Sequence, residues 1–165
     1  MNLEVVPFRP EFASQALDLI LEIQRNEFGI PITAEQQPDL AGIPSFYQVG
    51  NGNFWVALSR GDVVGTIGLL DIGSSQGALR KMFVRNAFRG PELGTASGLL
   101  DALFEWSEER RIGELYLGTT ALFLAAHRFY EKNGFEEIAR SALPSAFPVM
   151  DVDTKFYRRS VEFDA

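Results

Sequence analysis

Apolar residues in this chain recur at helical spacing in some segments and gather in short β-prone runs in others. Ala16, Leu17, Ile20 and Ile23 follow a period near 3.6, which predicts an amphipathic helix. Short runs rich in Val, Ile, Phe and Trp predict strands instead. The predicted strands are Leu3–Phe8, Asn53–Ser59, Val63–Asp71, Ala78–Val84, Glu114–Leu117, Phe135–Ala139 and Val152–Arg158, and the predicted helices are Glu11–Phe28, a short helix within Pro38–Val49, Gly94–Arg110 and Ala121–Asn133.

Turn-forming residues separate these elements. Arg60-Gly61-Asp62 lies between two predicted strands, and we interpret it as a hairpin turn in preference to a cell-adhesion motif. Gly73–Gly77 predicts a second turn and Ser141–Pro148 predicts a loop. The order β-α-α-β-β-β-α-β-α-β-β predicts an α/β (α+β) fold, in which helices cover both faces of a mixed sheet in a single domain over residues 1–165.

The composition fits a globular domain that does its chemistry without cysteine. The chain is 46% hydrophobic and 12% aromatic over 165 residues, which is enough to build one proper core. Because there is no cysteine, disulfides, thiolate nucleophiles and thiolate metal sites are excluded. The single histidine, His127, is too few for a histidine-cluster metal centre. We therefore predict no metal site.

The charge balance limits the classes of partner. With a formal net charge of −7 and a pI near 4.8, the chain does not fit a nucleic-acid binder that relies on phosphate attraction. This acidity mildly favours cationic partners such as amines, although it also serves solubility. The N-terminal residues lack a signal-peptide pattern, and no apolar run is long enough to span a bilayer. We therefore expect a cytoplasmic protein without a membrane partner.

Two motifs carry the candidate chemistry. The segment Met82–Ala96 combines a strand, a turn containing Arg and Gly, and the start of a helix. Unpaired backbone N–H groups at the positive end of a helix can bind a phosphate without a metal. The second motif, AAHRFYEKNGF over Ala125–Phe135, places a tyrosine on a helix just before a Gly-Phe stop. An anion site and a proton donor together suggest group transfer from a phosphorylated carrier.

The element order and these motifs resemble the GNAT N-acetyltransferase superfamily, most closely from Leu79 to Phe135. The family's Arg/Gln-x-x-Gly-x-Gly/Ala segment is represented by Arg89–Gly94, with Glu92 where glycine is usual. Phe123 stands where the family usually has Asn. The resemblance implies a mixed, mostly antiparallel sheet of about seven strands. The family's second signature, Ala-x-x-x-Tyr-x-x-x-Gly-Phe, is matched by Ala126, Tyr130, Gly134 and Phe135.

The resemblance also implies that the backbone amides of the turn bind the pyrophosphate of acetyl-CoA. Pro91 cannot donate a hydrogen bond, and the Glu92 carboxylate must point outward or weaken the binding of an anion. We expect binding to persist in altered form. Arg128 and Lys132 either meet CoA phosphates or are simply solvated. The residues assigned to acetyl-CoA are Met82, Phe83, Val84, Arg89, Gly90, Leu93, Gly94, Thr95, Ala96, Arg128 and Lys132.

For the chemical step, the resemblance makes Tyr130 the proton donor to the leaving thiolate, the alternative being a packing role under the sheet. A backbone N–H of the strand Met82-Phe83-Val84 is expected to stabilise the oxyanion. Family members often use a Glu on or near the fourth strand as base, but Ala78–Val84 contains no carboxylate. Asp71 is our substitute, acting directly or through water. His127 has a suitable intrinsic pKa, but we interpret it as a solvent-facing or hydrogen-bonded histidine.

The acceptor site is expected in two apolar, proline-containing loops, Phe28–Tyr47 and Leu143–Met150. We therefore predict an acetyl-CoA-dependent N-acetyltransferase in which a small amine or a peptide amine attacks directly within a ternary complex. A non-catalytic acyl-CoA-binding module and a regulatory domain that binds no CoA stay open as alternatives, and so does a homodimer. The residues assigned to the acceptor are Phe46, Tyr47, Phe147 and Met150, whose alternative role is to cover the sheet edge.

Overall fold

A computed structural model describes residues 3–161, which form a seven-stranded sheet in the order β1-β2-β3-β4-β5-β7-β6. Neighbouring strands are antiparallel except β4 and β5, which are parallel. The mixed, mostly antiparallel sheet is therefore confirmed. The strands are β1 Leu3–Pro7, β2 Asn53–Ser59, β3 Asp62–Gly73, β4 Gln76–Val84, β5 Glu114–Thr119, β6 Glu136–Ile138 and β7 Lys155–Ser160.

Four α-helices accompany the sheet within the described residues. The first helix begins after a 3₁₀ turn at Pro10–Phe12 and continues as a π-helical segment, Glu22–Glu27. Among residues 3–161, none of the helices is both long and apolar enough to cross a bilayer. The helices are α1 Ala13–Leu21, α2 Ile43–Phe46, α3 Thr95–Glu109 and α4 Leu124–Lys132, and further 3₁₀ turns lie at Pro38–Ala41, Asn86–Phe88 and Arg140–Ala142.

Helices α1 and α3 pack on opposite faces of the sheet. Side chains alternate between the two faces along a strand, and in β2 Trp55 belongs to the cluster around Leu99 of α3. Its neighbour Phe54 belongs to the cluster around Ile20 of α1. Helices thus cover both faces of the sheet, as the sequence predicts.

Two predicted boundaries near α4 and β7 are wrong, and side-chain hydrogen bonds explain the first. The backbone N–H of Ala121 donates to the Thr154 hydroxyl at 3.1 Å, and that of Leu122 donates to the Thr120 hydroxyl at 3.4 Å. These bonds form a turn, so the helix begins at Leu124 and not at Ala121. Strand β7 likewise begins at Lys155 and not at Val152, because residues 150–153 form a turn.

The parallel strands β4 and β5 separate soon after they meet. Their pairing is confined to Gln76↔Glu114, Gly77↔Leu115 and Ala78↔Tyr116. Beyond Ala78, β4 continues to Val84 and β5 continues to Thr119, without further pairing to each other. The sheet therefore opens into a wedge between the two strands, and this wedge positions the candidate site.

Candidate active site

A cavity of about 780 Å³ fills this wedge. Its volume lies in the range of small-molecule and cofactor sites. It runs from the start of α3, along the free part of β4, to the loop that contains Phe147. Twelve of the residues assigned from the sequence line it: Met82, Phe83, Val84, Arg89, Gly90, Gly94, Ala96, Arg128, Tyr130, Lys132, Phe147 and Met150.

The turn before α3 forms the anion-binding end of the cavity. Gly90 and Gly94 have φ angles of 112° and 70°, a region that glycine occupies without steric cost. The Gly98 N–H donates to the Gly94 carbonyl at 2.9 Å, so the amides of Thr95, Ala96 and Ser97 precede the first helical bond. Such amides, together with the helix dipole, favour an anion at this point.

Glu92 lies outside the cavity wall, although Gly90 and Pro91 belong to it. A Cβ atom added to Gly90 would meet the Glu92 Oε1 atom at 2.7 Å, which shows that the carboxylate folds over Gly90. Glu92 is solvent-exposed. The carboxylate is therefore not part of the cavity wall, but it lies beside the anion-binding turn, where it would weaken the binding of a phosphate.

Arg89 lines the cavity, but its charge is already compensated. Its guanidinium forms an ion pair with the Glu27 carboxylate, with Nη2 at 2.7 Å from Oε1. Its Nε donates to the Val84 carbonyl at 2.8 Å. The side chain therefore ties the turn to the end of β4 and to the π-helical segment.

Leu93 and Thr95 belong to the same turn but lie outside the cavity wall. The Thr95 hydroxyl is buried and has no hydrogen-bond partner within residues 3–161. It stands beside the amides that would bind a phosphate. Both residues stay predictions as acetyl-CoA contacts.

Tyr130 extends from α4 to the cavity wall while most of its ring is buried. The ring packs edge-on against Phe135, with the ring centroids 5.7 Å apart. Burial raises the pKa of the Tyr130 phenol well above its ordinary value. The phenol therefore keeps its proton throughout the neutral range and is available as a hydrogen-bond donor.

The basic side chains of α4 differ in whether they border the cavity. Arg128 and Lys132 are exposed on the side of the helix that borders the cavity. His127 is buried outside the cavity wall, and its Nε2 donates to the Thr120 carbonyl at 2.8 Å. The structure therefore places His127 as a hydrogen-bonded packing residue.

Of the four residues assigned to the acceptor, Phe147 and Met150 line the cavity, whereas Phe46 and Tyr47 do not. Tyr47 is fully buried, and its hydroxyl donates to the Asp39 carboxylate at 2.5 Å. The Phe46 ring supports the Arg80 guanidinium, whose Cζ lies 5.7 Å from the ring centroid. These two aromatic residues therefore lie behind the cavity wall.

Asp71 also lies away from the cavity. Its Oδ2 accepts from the Asn51 N–H and its Oδ1 accepts from the Gly73 N–H, each at 2.9 Å. Both carboxylate oxygens thus hold turns at the end of β3. Asp71 is therefore placed to stabilise these turns and not to act as a base in the cavity.

Asp71→Asn is expected to lower stability and leave turnover unchanged. Asparagine offers one acceptor oxygen, so one of the two backbone N–H groups loses its partner, which costs about 1 kcal/mol. Denaturant unfolding and steady-state kinetics measure the two effects. Asp101→Asn, at an exposed position on α3, is the matched control. A tenfold loss of turnover in Asp71→Asn with unchanged CoA affinity would return Asp71 to the mechanism.

Three residues that the sequence analysis did not assign also shape the cavity: Lys81, Asp153 and Phe123. Burial lowers the pKa of the Lys81 ammonium to about 8 and raises the pKa of the Asp153 carboxyl. Phe123 packs edge-on against Phe28 and Phe83, with centroid distances of 4.7 and 6.0 Å. An aromatic contact therefore stands where the family usually has an Asn.

One signal in the sequence points to Lys81. Arg80 and Lys81 are adjacent charges inside an otherwise apolar strand, so a regular strand would turn one of them toward each face. Phe123 and Asp153 carry no comparable signal, because both lie in irregular segments before α4 and β7.

Comparisons with known proteins agree with this geometry. The sequence profile of the Acetyltransferase (GNAT) family matches residues 15–135. An acetyltransferase of the GNAT family from Staphylococcus aureus Mu50 is 38% identical, with a TM-score of 0.94 and coverage of 98% of this chain and 100% of that chain. The PaiA N-acetyltransferase from Thermoplasma acidophilum, crystallised with coenzyme A, has a TM-score of 0.74 at 14% identity and coverage of 97% and 99%, which shows a shared fold.

N-acetylaspartate synthetase from Danio rerio is 34% identical over 105 residues, which cover 62% of this chain. The matched part spans 36% of the length of that relative. The predicted family and fold are confirmed by the profile and by the S. aureus structure. The chain belongs to the GNAT family of acetyltransferases.

Proposed function

We propose that this protein transfers an acetyl group from acetyl-CoA to the amine of a small acceptor, by direct attack in a ternary complex. The observation that carries this proposal is that one cavity of about 780 Å³ joins the anion-binding turn, the free part of β4 and Tyr130. These are the parts needed for a phosphorylated thioester and a leaving thiolate. Family membership and the coenzyme A complex of a protein of the same fold support acetyl-CoA as the donor.

Acetyl-CoA would lie along the cavity with its pyrophosphate at the start of α3 and its thioester near Tyr130. Its pyrophosphate would accept hydrogen bonds from the amides at the start of α3, with Arg128 and Lys132 near the phosphates. Its pantetheine amides would pair with β4 beyond Ala78, where β5 has separated. This orientation directs the thioester toward Tyr130.

The chemical step requires an oxyanion donor and a proton for sulfur. A backbone N–H of β4 is our candidate for the oxyanion, and the Tyr130 hydroxyl is our candidate for the thiolate. Direct attack by the amine follows because this chain has no cysteine to carry the acetyl group. The acceptor nitrogen must lose a proton before it attacks, because only the neutral amine has a free lone pair.

The acceptor end of the cavity has mixed charge. Arg80 and Lys81 contribute cationic groups, and Asp153 contributes a carboxyl. A zwitterion such as an amino acid suits this pattern better than a polycation, because its carboxylate and its ammonium each find a group of opposite charge. The name of the D. rerio relative assigns aspartate to that protein, which supports an amino acid as the acceptor class here.

A panel of amines tests the proposal. Release of the CoA thiol would be followed with amino acids, diamines, polyamines and short peptides, and acetyl-CoA binding would be measured by calorimetry. We expect binding together with CoA release, fastest with amino acids. Binding without release across the panel would favour the non-catalytic module, and no thermal shift with acetyl-CoA would favour a regulatory domain. A homodimer and a cytoplasmic location stay predictions.

A further inference from the structure

Lys81 occupies an irregular position in β4. Thr66 of β3 pairs with Phe83, and Gly68 pairs with Arg80. Two residues of β4, Lys81 and Met82, therefore face the single residue between Thr66 and Gly68, which defines a β-bulge.

The backbone of Lys81 has φ 55°, a left-handed conformation that is uncommon for a long side chain. The Thr66 hydroxyl donates to the Lys81 carbonyl at 2.7 Å and thereby holds the bulge. The bulge lies in the part of β4 that borders the cavity, where residues 79–84 all line the wall. Strained positions of this kind cluster at active sites.

The Lys81 amine is held by a buried polar network. Its side chain is 3% exposed, and its Nζ lies 3.9 Å from the Asp39 carboxylate. Nζ also donates to Gln37 Oε1 and lies 3.8 Å from the Met150 sulfur. The Gln37 amide is paired with the Gln24 amide through bonds of 3.0 and 2.9 Å. The amine is therefore fixed at the acceptor end of the cavity.

We infer that Lys81 Nζ is the general base that removes a proton from the acceptor ammonium. This inference rests on the proposed acetyl transfer. The β4 strand has no carboxylate for this task, and both Asp71 and His127 lie outside the cavity wall. Lys81 lines the acceptor end of the cavity from β4 itself, whereas the Asp153 carboxyl at this end accepts a hydrogen bond from the Met150 N–H at 2.9 Å.

The charged groups around Lys81 permit the neutral amine. The pKa of the Lys81 ammonium is lowered to about 8 by the balance of four effects: desolvation by burial, the largest, lowers it, Asp39 raises it, Arg80 lowers it and Asp153 raises it. Buried lysines with lowered pKa values serve as general bases in other enzymes. A base must exchange its proton near the working pH, and Lys81 meets this condition at mildly alkaline pH.

The proton balance of the step is complete. The acceptor R–NH₃⁺ gives one proton to the Lys81 amine, and the freed nitrogen lone pair forms a C–N bond to the acetyl carbonyl carbon. The C–S bond then breaks with its electron pair on the CoA sulfur. The second amine proton reaches that sulfur through the Tyr130 hydroxyl. Lys81 releases its proton to solvent, and the products are the acetamide, CoA thiol and one proton.

Two substitutions of Lys81 distinguish a role as a general base from a role as a permanent positive charge. Lys81→Met removes both the charge and the lone pair, whereas Lys81→Arg keeps the charge but cannot lose a proton. We expect each to lower kcat/KM by roughly 10²-fold or more, with an unchanged Kd for acetyl-CoA. Lys155→Met is the matched control, because Lys155 lies on β7 outside the cavity wall. Wild-type-like kcat/KM in Lys81→Arg would overturn the inference.

The pH profile of the unaltered protein gives a test that needs no variant. Since the base acts when unprotonated, kcat/KM should rise as the pH increases through about 8. The rising limb of this pH profile must be measured with two accepted amines of different intrinsic pKa, such as an α-amine of pKa about 8 and an alkyl amine of pKa about 10.4. A limb that stays near pH 8 with both amines supports Lys81. A limb that moves with the amine overturns the inference, whereas a wild-type protein without any CoA release overturns the proposed function instead.

Discussion

Gly94→Asp is expected to abolish detectable coenzyme A binding while the protein stays folded. Gly94 lines the cavity at the start of α3, and a Cβ there meets no other atom within 4 Å. The new carboxylate would therefore lie where the pyrophosphate is proposed to bind. At a charge separation of about 5 Å and an effective dielectric of about 20, each pair of unit charges costs about 3 kcal/mol, or roughly 10²-fold in affinity. Calorimetric titration with CoA measures the effect.

Gly94→Asn is the matched control for this prediction. Asparagine has nearly the same shape as aspartate, and both residues tolerate the left-handed conformation that φ 70° requires. The two variants therefore share the steric and backbone costs and differ in charge alone. We expect Gly94→Asn to bind CoA measurably and Gly94→Asp not to bind. Equal affinities in the two variants would mean that the phosphates lie elsewhere.

The fold could be predicted from the sequence because its strands and long helices have clear apolar periodicity. Strand β2 is predicted and observed at Asn53–Ser59, since each of its faces contacts a helix and every residue is buried. Errors arise where hydrogen bonds of single side chains decide the conformation. The start of α4 depends on the hydroxyls of Thr120 and Thr154, and Thr154 is distant along the chain. The secondary-structure propensities of neighbouring residues do not predict hydrogen bonds between residues that are distant along the chain.

The part of the candidate site formed by the two sequence motifs could be predicted, but the acceptor end could be predicted only in part, since Phe147 and Met150 line the cavity whereas Phe46 and Tyr47 do not. Gly94 and Tyr130 lie in segments whose local order of strand, turn and helix is visible in the sequence. Lys81 instead depends on the pairing of β3 with β4, because the bulge appears only when Thr66 and Gly68 find their partners. Tyr47 is an aromatic residue in a loop that was expected to bind the acceptor, yet it lies behind the cavity wall, where its hydroxyl donates to Asp39. An aromatic residue in a loop can line a cavity or pack behind its wall, and the sequence alone does not distinguish the two placements.

Separation and bulging of β4 together explain why the reactive groups meet. The parallel pairing ends at Ala78, so the next six residues of β4 have no β5 partner. Lys81 lies in the bulge of this free part and lines the same wedge that Tyr130 borders from α4. One strand therefore supplies the proposed donor contacts, the proposed oxyanion N–H and the proposed base.

Tyr130→Phe is expected to lower the single-turnover rate of acetyl transfer by roughly 10²-fold or more, with little change in CoA affinity. Phenylalanine keeps the ring that packs against Phe135 and Tyr157, so the fold and the cavity wall are preserved. The departing CoA thiolate loses its proton donor. Because burial raises the pKa of this phenol, the wild-type residue acts from its protonated form, and the deficit should persist across the neutral range.

Tyr157→Phe controls for the loss of a hydroxyl close to the site. The Tyr157 ring lies 6.1 Å from that of Tyr130, but its hydroxyl donates to Glu131 at 2.6 Å and the residue lies outside the cavity wall. We expect this variant to lose some stability and to keep its transfer rate. Rapid mixing of preformed acetyl-CoA complexes with the acceptor measures chemistry without product release. An unchanged rate in Tyr130→Phe would leave Tyr130 as a packing residue and assign thiolate protonation to water.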